Sequence, residues 1–188
     1  MAKVSWKGST LLAPVPAVMV SCGTMEESNI ITIGWTGILN SNPPKTYVSI
    51  RPERYSYEII KKTGEFVINL TTAELIRATD GCGVYTGRKV DKFKKYQLDK
   101  VQASEVSVPL IAQAPICLEC RVTDIVPLGS HDMFMADIVA IDVEESLLNK
   151  DGKLCLERAG LAAYAHGQYY ALGKKLGSFG FSVKKKKK

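Results

Sequence analysis

The chain has 188 residues, of which 46% are hydrophobic and 23% charged, as in a globular protein with one well-filled core. No run approaches the roughly 18 consecutive apolar residues of a membrane-spanning helix, so we expect no membrane partner. The formal net charge is +6, but five of the 25 basic residues form the run 184–188, and the other 20 face 19 acidic residues.

The folded body is therefore nearly neutral, and the charge does not indicate a nucleic-acid partner. We interpret residues 1–183 as a single domain and residues 184–188 as a solvated lysine tail. Salt-sensitive attraction of this tail to RNA or to anionic lipid is the alternative.

The first predicted strand covers residues 15–22. Lys3 and Lys7 precede the longer apolar stretch 11–22, which ends at Cys22 and faintly resembles a secretory leader, but Pro14 and Pro16 interrupt it. We therefore interpret it as an extended segment that leads into the first strand, and we expect a cytoplasmic protein.

The second predicted strand, residues 30–38, lies within "SNIITIGWTGILNSNPP". Its isoleucines and Trp35 indicate a buried strand, yet Thr32, Gly34 and Gly37 interrupt the apolar surface. Glycine weakens a strand and often marks a close approach to the backbone. The pattern therefore predicts that another group comes close to the chain here.

Further apolar or alternating segments of strand length follow, bounded by turn residues. Six or more strands with short turns favour a closed antiparallel barrel, and the interleaved helices make the class α+β, mainly β. The remaining predicted strands are 45–51, 65–71, 115–126 and 132–144, with 129–132 as the turn of a long hairpin. We predict helices from Ser56 to Gly64, from Thr71 or Thr72 to Gly81, within 87–98, and in the glycine-rich segment 169–181.

The five cysteines, an odd number without an export signal, indicate free thiols. Cys117 and Cys120 form a CxxC motif within a predicted strand. Residues three apart on a strand point to opposite faces, so this pair can neither chelate a metal nor form a disulfide. We interpret both as ordinary strand cysteines.

The sequence contains no catalytic triad and no metal-binding cluster. Its two histidines, His131 and His166, are well separated, and the glycines of "GCGVYTG" lack dinucleotide-binding spacing. We therefore predict no catalytic side chain and no metal site.

Polar residues at strand ends remain. Tyr47, Ser49 and Arg51 share one face of their strand, and the helix that begins near Ser56 follows. Arginine, serine hydroxyls and a helix N-terminus suit a phosphate monoester. Surface ion pairing of Arg51 and Arg54 is the alternative.

Taken in order, these segments resemble the flavin reductase-like, FMN-binding split-barrel family, most closely its flavoredoxin branch. The resemblance extends from about Pro14 to Gly177. It rests on "NIITIGWTG", "NPPKTYVSIRPERYSYEII", "GEFVINL", "TGRKVDKF", "APICLECRV", "GSHDMFMADIVAI" and "HGQYYALGKKLG".

The resemblance implies a six-stranded antiparallel Greek-key split β-barrel with flanking helices, a homodimer, and one non-covalent FMN per subunit. It implies a flavin ring against Thr32, Ile33, Gly34 and Trp35, which answers the question of what approaches the glycine. The other cofactor-binding positions that it implies are Asn29 near the ring or ribityl chain, Ser49, Arg51, Ser56 and Lys92 at the phosphate end, and His131 and Tyr164 in the pocket.

The function that the resemblance implies is an NAD(P)H-dependent flavin oxidoreductase that passes electrons through bound FMN to an acceptor. Hydride transfer to a flavin needs no side-chain general base, in agreement with the missing nucleophile–base pair. Two alternatives stay open: an electron carrier with a protein donor and no NAD(P)H oxidation, and a non-catalytic ligand-binding barrel.

Overall fold

The structure is a computed structural model that describes residues 1–183; the predicted lysine tail lies outside the described residues. None of its helices is long and apolar enough to cross a membrane. The helices are α1 (Tyr55–Thr63), α2 (Ile76–Val84) and α3 (Lys92–Tyr96). The strands are β1 (Val15–Pro16), β2 (Val18–Gly23), β3 (Ser28–Ile33), β4 (Thr36–Ser41), β5 (Pro44–Ile50), β6 (Glu65–Asn69), β7 (Lys100–Val101), β8 (Leu110–Ile111), β9 (Ile116–Pro127), β10 (Asp132–Val143), β11 (Ala162–Ala165) and β12 (Gln168–Ala171).

The main sheet is antiparallel and has the order β3-β2-β6-β9-β10-β5-β4. Its two edge strands, β3 and β4, are consecutive in the chain and only Gly34 and Trp35 separate them. Two residues span less than about 10 Å, so the sheet curls until its edges come together there. The predicted class, a mainly antiparallel β fold of split-barrel form with flanking helices, is confirmed.

The prediction of one buried strand at 30–38 is wrong, because the chain forms two strands and changes sheet edge within this stretch. On β4, Ile38 and Leu39 are exposed rather than buried. The break raises the number of strands in the sheet from the predicted six to seven. It leaves Gly34 and Trp35 at the point where the two edges meet.

A second sheet, β1-β11-β12, lies beside this point, since β1 directly precedes β2 and pairs with β11. The hairpin β11–β12 is also tied to the chain before α2 by a bridge between Thr72 and Leu161. The predicted helix in the segment 169–181 is wrong: its first residues form β12, and a short 3-10 turn lies at Phe181–Val183.

The two larger of three apolar clusters lie one on each side of the sheet. One contains Phe66, Phe134 and Cys120 and packs against α1; the other contains Met19, Cys117 and Phe93 and lies under α2 and α3. Cys117 and Cys120 therefore point to opposite faces of β9, as predicted, and all five cysteines are free.

The three predicted helices in the first half of the chain are present. Helix α1 ends at Gly64, whose φ of 68° fits a left-handed C-cap. Helix α2 begins later than predicted and continues past Gly81. Helix α3 is shorter than its predicted segment and is capped by Asp91, whose carboxylate accepts from the backbone N–H of Lys94.

A buried carboxylate, Glu119 on β9, fixes the loop that follows β7. Its oxygens accept hydrogen bonds from the backbone N–H groups of Ser104, Glu105 and Val106 and from the Ser104 hydroxyl. Burial alone would raise the pKa of Glu119, but these hydrogen bonds lower it overall. The neighbouring Asp142 has a raised pKa because of burial and the charge of Glu119, and its Oδ2 has no partner in the described structure.

We expect Asp142→Asn to stabilise the protein by about 1 kcal/mol at neutral pH, a rise of a few °C in the melting temperature. The folded-state pKa of Asp142 lies above its unfolded value, so its charge destabilises the fold at high pH and ceases to do so as the pH falls. Melting curves of both proteins from pH 8 to pH 4 measure this. The gain should shrink on acidification, and a constant difference would contradict the assignment to charge repulsion.

Candidate functional site

A cavity of about 450 Å³ lies at the junction of β3, β4 and the small sheet. This size is typical of small-molecule sites. The sheet edges supply its floor, the hairpin β11–β12 one wall, and α2 and the turn after β5 its rim. Its lining residues are Ala17, Ile31, Thr32, Ile33, Gly34, Trp35, Ser49, Ile50, Arg51, Arg54, Gly83, His131, Tyr164 and Tyr169.

The break between β3 and β4 gives this cavity its backbone surface. The Trp35 carbonyl accepts a hydrogen bond of 2.9 Å from the Ser49 N–H, and Trp35 as a whole residue is 37% exposed. A Cβ built on Gly34 would lie 3.6 Å from Val15 Cγ2, an ordinary contact. Packing within the described chain therefore does not require glycine at position 34.

A second cavity of about 130 Å³ continues from the first, because Ile31, Arg54 and Gly83 line both. It lies between β3, the start of α1 and the end of α2. Its other lining residues are Asn29, Glu53, Tyr55, Ser56, Cys82, Tyr85, Thr86, Gly87 and Lys92.

A buried ammonium group lines this smaller cavity. Lys92 is 4% exposed, and its Nζ donates to the carbonyl oxygens of Ile30 at 2.6 Å and of Cys82 at 2.8 Å. No carboxylate of the described chain forms an ion pair with it. Burial, with the nearby charge of Arg54, lowers the Lys92 pKa. An unpaired buried charge is costly, so this arrangement favours an anion in the cavity.

Beside Lys92, the polar side chains are fixed by close packing. Asn29 Nδ2 donates to Ser56 Oγ at 2.8 Å, and both residues are buried. A Cβ on Gly87 would lie 2.2 Å from Asn29 Oδ1 and 2.6 Å from Tyr55 Cδ1. Glycine at position 87 is therefore what allows the loop after α2 to close over Asn29.

The rim of the larger cavity is cationic. Arg54 is exposed and forms no ion pair among residues 1–183. Arg51 forms an ion pair with Glu53, with its Nη1 lying 3.7 Å from Glu53 Oε1. Burial, together with the charges of Arg51 and Arg54, lowers the pKa of His131, which keeps this imidazole neutral at pH 7.

Two tyrosines of the hairpin β11–β12 form the opposite wall. Tyr164 and Tyr169 pack edge to face with ring centroids 5.3 Å apart. The Tyr169 hydroxyl donates to Asp80 of α2 at 3.1 Å, and burial with this hydrogen bond raises its pKa to about 12. The phenol therefore stays protonated and ties the hairpin to α2.

All eleven sequence-predicted positions line one of the two joined cavities, although whether they bind a cofactor stays a prediction. Asn29, Ser56 and Lys92 line the smaller cavity and the other eight the larger one. Sequence reasoning missed Tyr169 and Gly83, and it named Arg54 only as a surface ion-pair candidate. The alternation that placed Ser49 and Arg51 on one face gave no signal for Tyr169, which was assigned to a helix.

The thiols at this site are not poised for nucleophilic chemistry. Burial raises the pKa of both Cys22 and Cys82 to about 11, despite the nearby Lys92 charge. Within residues 1–183, no group of three or more metal-ligating side chains occurs. The arrangement can bind and orient a flat anionic ligand, and it supplies cations and backbone dipoles rather than a general base.

The chain is similar to known proteins both in sequence and in structure. A family described as the flavin reductase like domain matches residues 11–173. An uncharacterised protein of Archaeoglobus fulgidus is 33% identical over 142 residues, covering 76% of this chain and 78% of that protein. The flavoredoxin of Desulfovibrio vulgaris (Miyazaki F) superposes with a TM-score of 0.90 at 29% identity, covering 97% of this chain and all of the other. The reductase component of an FADH(2)-dependent resorcinol hydroxylase from Rhizobium sp. is 24% identical over 151 residues, covering 78% and 82% of the two chains.

Proposed function

The chain belongs to the flavin reductase like domain family, and on that premise we propose that it is an oxidoreductase that binds FMN non-covalently and passes electrons from NAD(P)H through it to an acceptor. The proposal rests on the buried ammonium group of Lys92, which pairs with no carboxylate of the described chain. It lines a small cavity that opens into a larger one. A phosphate monoester joined to a broad ring system fits this pair of cavities.

The residues present fit FMN at both ends. Lys92, Ser56 and Arg54 would hold the phosphate, since charge-assisted hydrogen bonds from Lys and Arg are strong. The backbone at Gly34 and the indole of Trp35 would border the ring. Packing within the described chain would tolerate a side chain at position 34, so a ligand that needs the space is a reason for glycine there. The flavin would supply the hydride and electron chemistry when bound.

The side chains around the larger cavity would orient the ring and set its electrostatic environment. Arg51 and Arg54 contribute positive charge that favours a negatively charged reduced ring, and neutral His131 adds a hydrogen-bonding group. Trp35 and the tyrosines Tyr164 and Tyr169 exclude water from the cavity walls. No side chain is required to abstract a proton, so no catalytic residue is proposed.

The experiment is a titration of the purified chain with FMN, followed by anaerobic addition of NADH or NADPH. We expect saturation at one FMN per chain and bleaching of the oxidised-flavin absorption with at least one nucleotide. Bleaching by a reduced protein donor alone would replace the reductase with an electron carrier. A chain that gains no visible spectrum with FMN would be a barrel for another ligand, and the proposal would be wrong.

We also propose that the protein is a homodimer. The segments 1–13 and 172–180 contain no helix or strand and expose large apolar side chains, with Trp6 at 78% and Leu176 at 95% exposure. Such surfaces usually mark an interface.

Light scattering of the FMN-loaded chain tests the dimer. The expected mass is twice the 20.6 kDa of one chain. A mass of one chain at micromolar concentration would contradict the dimer.

We also propose that the protein works in the cytoplasm. Four of the five cysteines are buried and all are free, which is consistent with the reducing environment of the cytoplasm. We propose that residues 1–183 act as one domain.

A further inference from the structure

The segment 85–100, which contains α3, is the most basic part of the described chain. It carries six basic and two acidic residues, whereas the rest of residues 1–183 carries fourteen basic and seventeen acidic ones. The near-neutral total therefore conceals a local asymmetry. Four of the six basic side chains are exposed: Arg88, Lys89, Lys94 and Lys95.

These four side chains, which we call the basic patch, form no ion pair with a carboxylate of the described chain. Arg88 lies over the Tyr55 ring at 5.3 Å, and Lys95 lies over the Tyr85 ring at 4.7 Å. Tyr55 and Tyr85 line the smaller cavity of the candidate site. The patch therefore borders the face on which the cofactor site opens.

A small anionic ligand in the joined cavities does not account for the whole patch. Lys89 and Lys94 line neither cavity, and their side chains make no hydrogen bond within residues 1–183. Charge that extends beyond the reach of a bound ligand suits a larger partner, and oppositely charged surfaces steer protein encounters.

We propose that the basic patch docks an acidic electron-transfer protein that exchanges electrons with the flavin bound at the adjoining site. The inference rests on the proposed function and names its partner class. In the direction of the proposed function, two oxidised iron–sulfur acceptor molecules would each gain one electron from one FMNH2, with release of two protons. The reverse reaction is the one that the test follows: two reduced iron–sulfur molecules each lose one electron, and the two electrons with two protons from water convert one FMN to FMNH2.

The test uses the full FMN-loaded chain and a reduced plant-type [2Fe–2S] ferredoxin, a small acidic protein, in a stopped-flow instrument. We expect the second-order rate of flavin reduction to fall about tenfold or more as salt rises from low to physiological concentrations or above. Lys89→Glu/Lys94→Glu should lower the low-salt rate about tenfold, because it reverses two charges without removing a side-chain contact.

The matched control is Lys150→Glu/Lys153→Glu, which makes the same charge change in an exposed loop that lines neither cavity. Its low-salt rate should stay close to that of the unaltered chain. Equal losses of rate in both double variants would assign the effect to net charge rather than to the patch. A rate that does not depend on salt would show that electrostatic attraction plays no part in the encounter. Either outcome overturns the docking site.

Two further measurements separate this inference from the proposed function. FMN titration of all three proteins should be unchanged, because Lys89 and Lys94 lie outside the cavities. If the chain does not bind FMN, the proposed function fails, and binding of the same ferredoxin to the FMN-free chain by titration calorimetry still decides on the patch. Loss of heparin binding in Lys89→Glu/Lys94→Glu without any change in ferredoxin binding would indicate a nucleic-acid-like polyanion and overturn the proposal.

Discussion

Replacing Lys92 by methionine is expected to weaken FMN binding by about two to three powers of ten. Methionine keeps most of the apolar stem but removes the only buried ammonium that lines the smaller cavity in the described chain. Removing one partner of a buried, hydrogen-bonded charge pair costs roughly 2–5 kcal/mol, or about 1.5 to 3.5 powers of ten in affinity, and the expected loss lies in the middle of this range. Fluorescence titration of FMN against both proteins measures it.

The matched control is Lys94→Met, an exposed lysine of the same helix that lines neither cavity. It should bind FMN as the unaltered chain does. Inorganic phosphate alone should raise the melting temperature of the unaltered chain and of Lys94→Met but not that of Lys92→Met. An unchanged affinity of Lys92→Met would show that its ammonium serves only to join Ile30 and Cys82 and that the phosphate is held elsewhere.

Lys92 also shows where residue patterns stop being informative. A lysine in "DKF" is usually a solvated helix residue, and only the resemblance to a family indicated a ligand position. Its burial depends on the carbonyl oxygens of Ile30 and Cys82, which are 62 and 10 residues distant in sequence. No local pattern encodes such a partner, because backbone carbonyls are present at every residue.

Strand patterns, by contrast, were informative wherever one face is buried. In β5, Thr46, Val48 and Ile50 are buried while the alternate residues face outward, so the shared face of Ser49 and Arg51 followed from alternation alone. The pattern failed at Gly34 and Trp35, where apolar residues continue on both sides of a change of sheet edge. Ile38 and Leu39 are apolar yet exposed, so a prediction from hydrophobic periodicity places them in the core by mistake.

Gly34 and Gly87 show the same limit of sequence patterns. The sequence drew attention to Gly34, where packing tolerates a Cβ, and overlooked Gly87, where packing forbids one. The difference arises because the neighbours of Gly87 are Asn29 and Tyr55, which lie more than 30 residues away along the chain. Steric demand on a glycine is a property of tertiary packing.

Gly87→Ala is therefore expected to damage both stability and cofactor binding. The new methyl group would overlap Asn29, whose side chain is held by its 2.8 Å hydrogen bond to Ser56 on the neighbouring helix and lies in a buried position. Overpacking of this kind costs about 1–3 kcal/mol, equivalent to several °C in melting temperature for a chain of this size.

Because Asn29, Ser56 and Gly87 all line the smaller cavity, the displacement should also lower FMN affinity by about tenfold or more, at a cost of 1.4 kcal/mol per power of ten. Gly173→Ala is the matched control, since a Cβ at position 173 meets nothing within 4 Å and its φ is not positive. Melting curves and FMN titration of the two variants distinguish the outcomes. If Gly87→Ala melts lower but binds FMN normally, the loop after α2 supports the fold without shaping the phosphate end of the site. If binding falls while Gly173→Ala is unaffected, the close approach of this loop to Asn29 is what forms the smaller cavity.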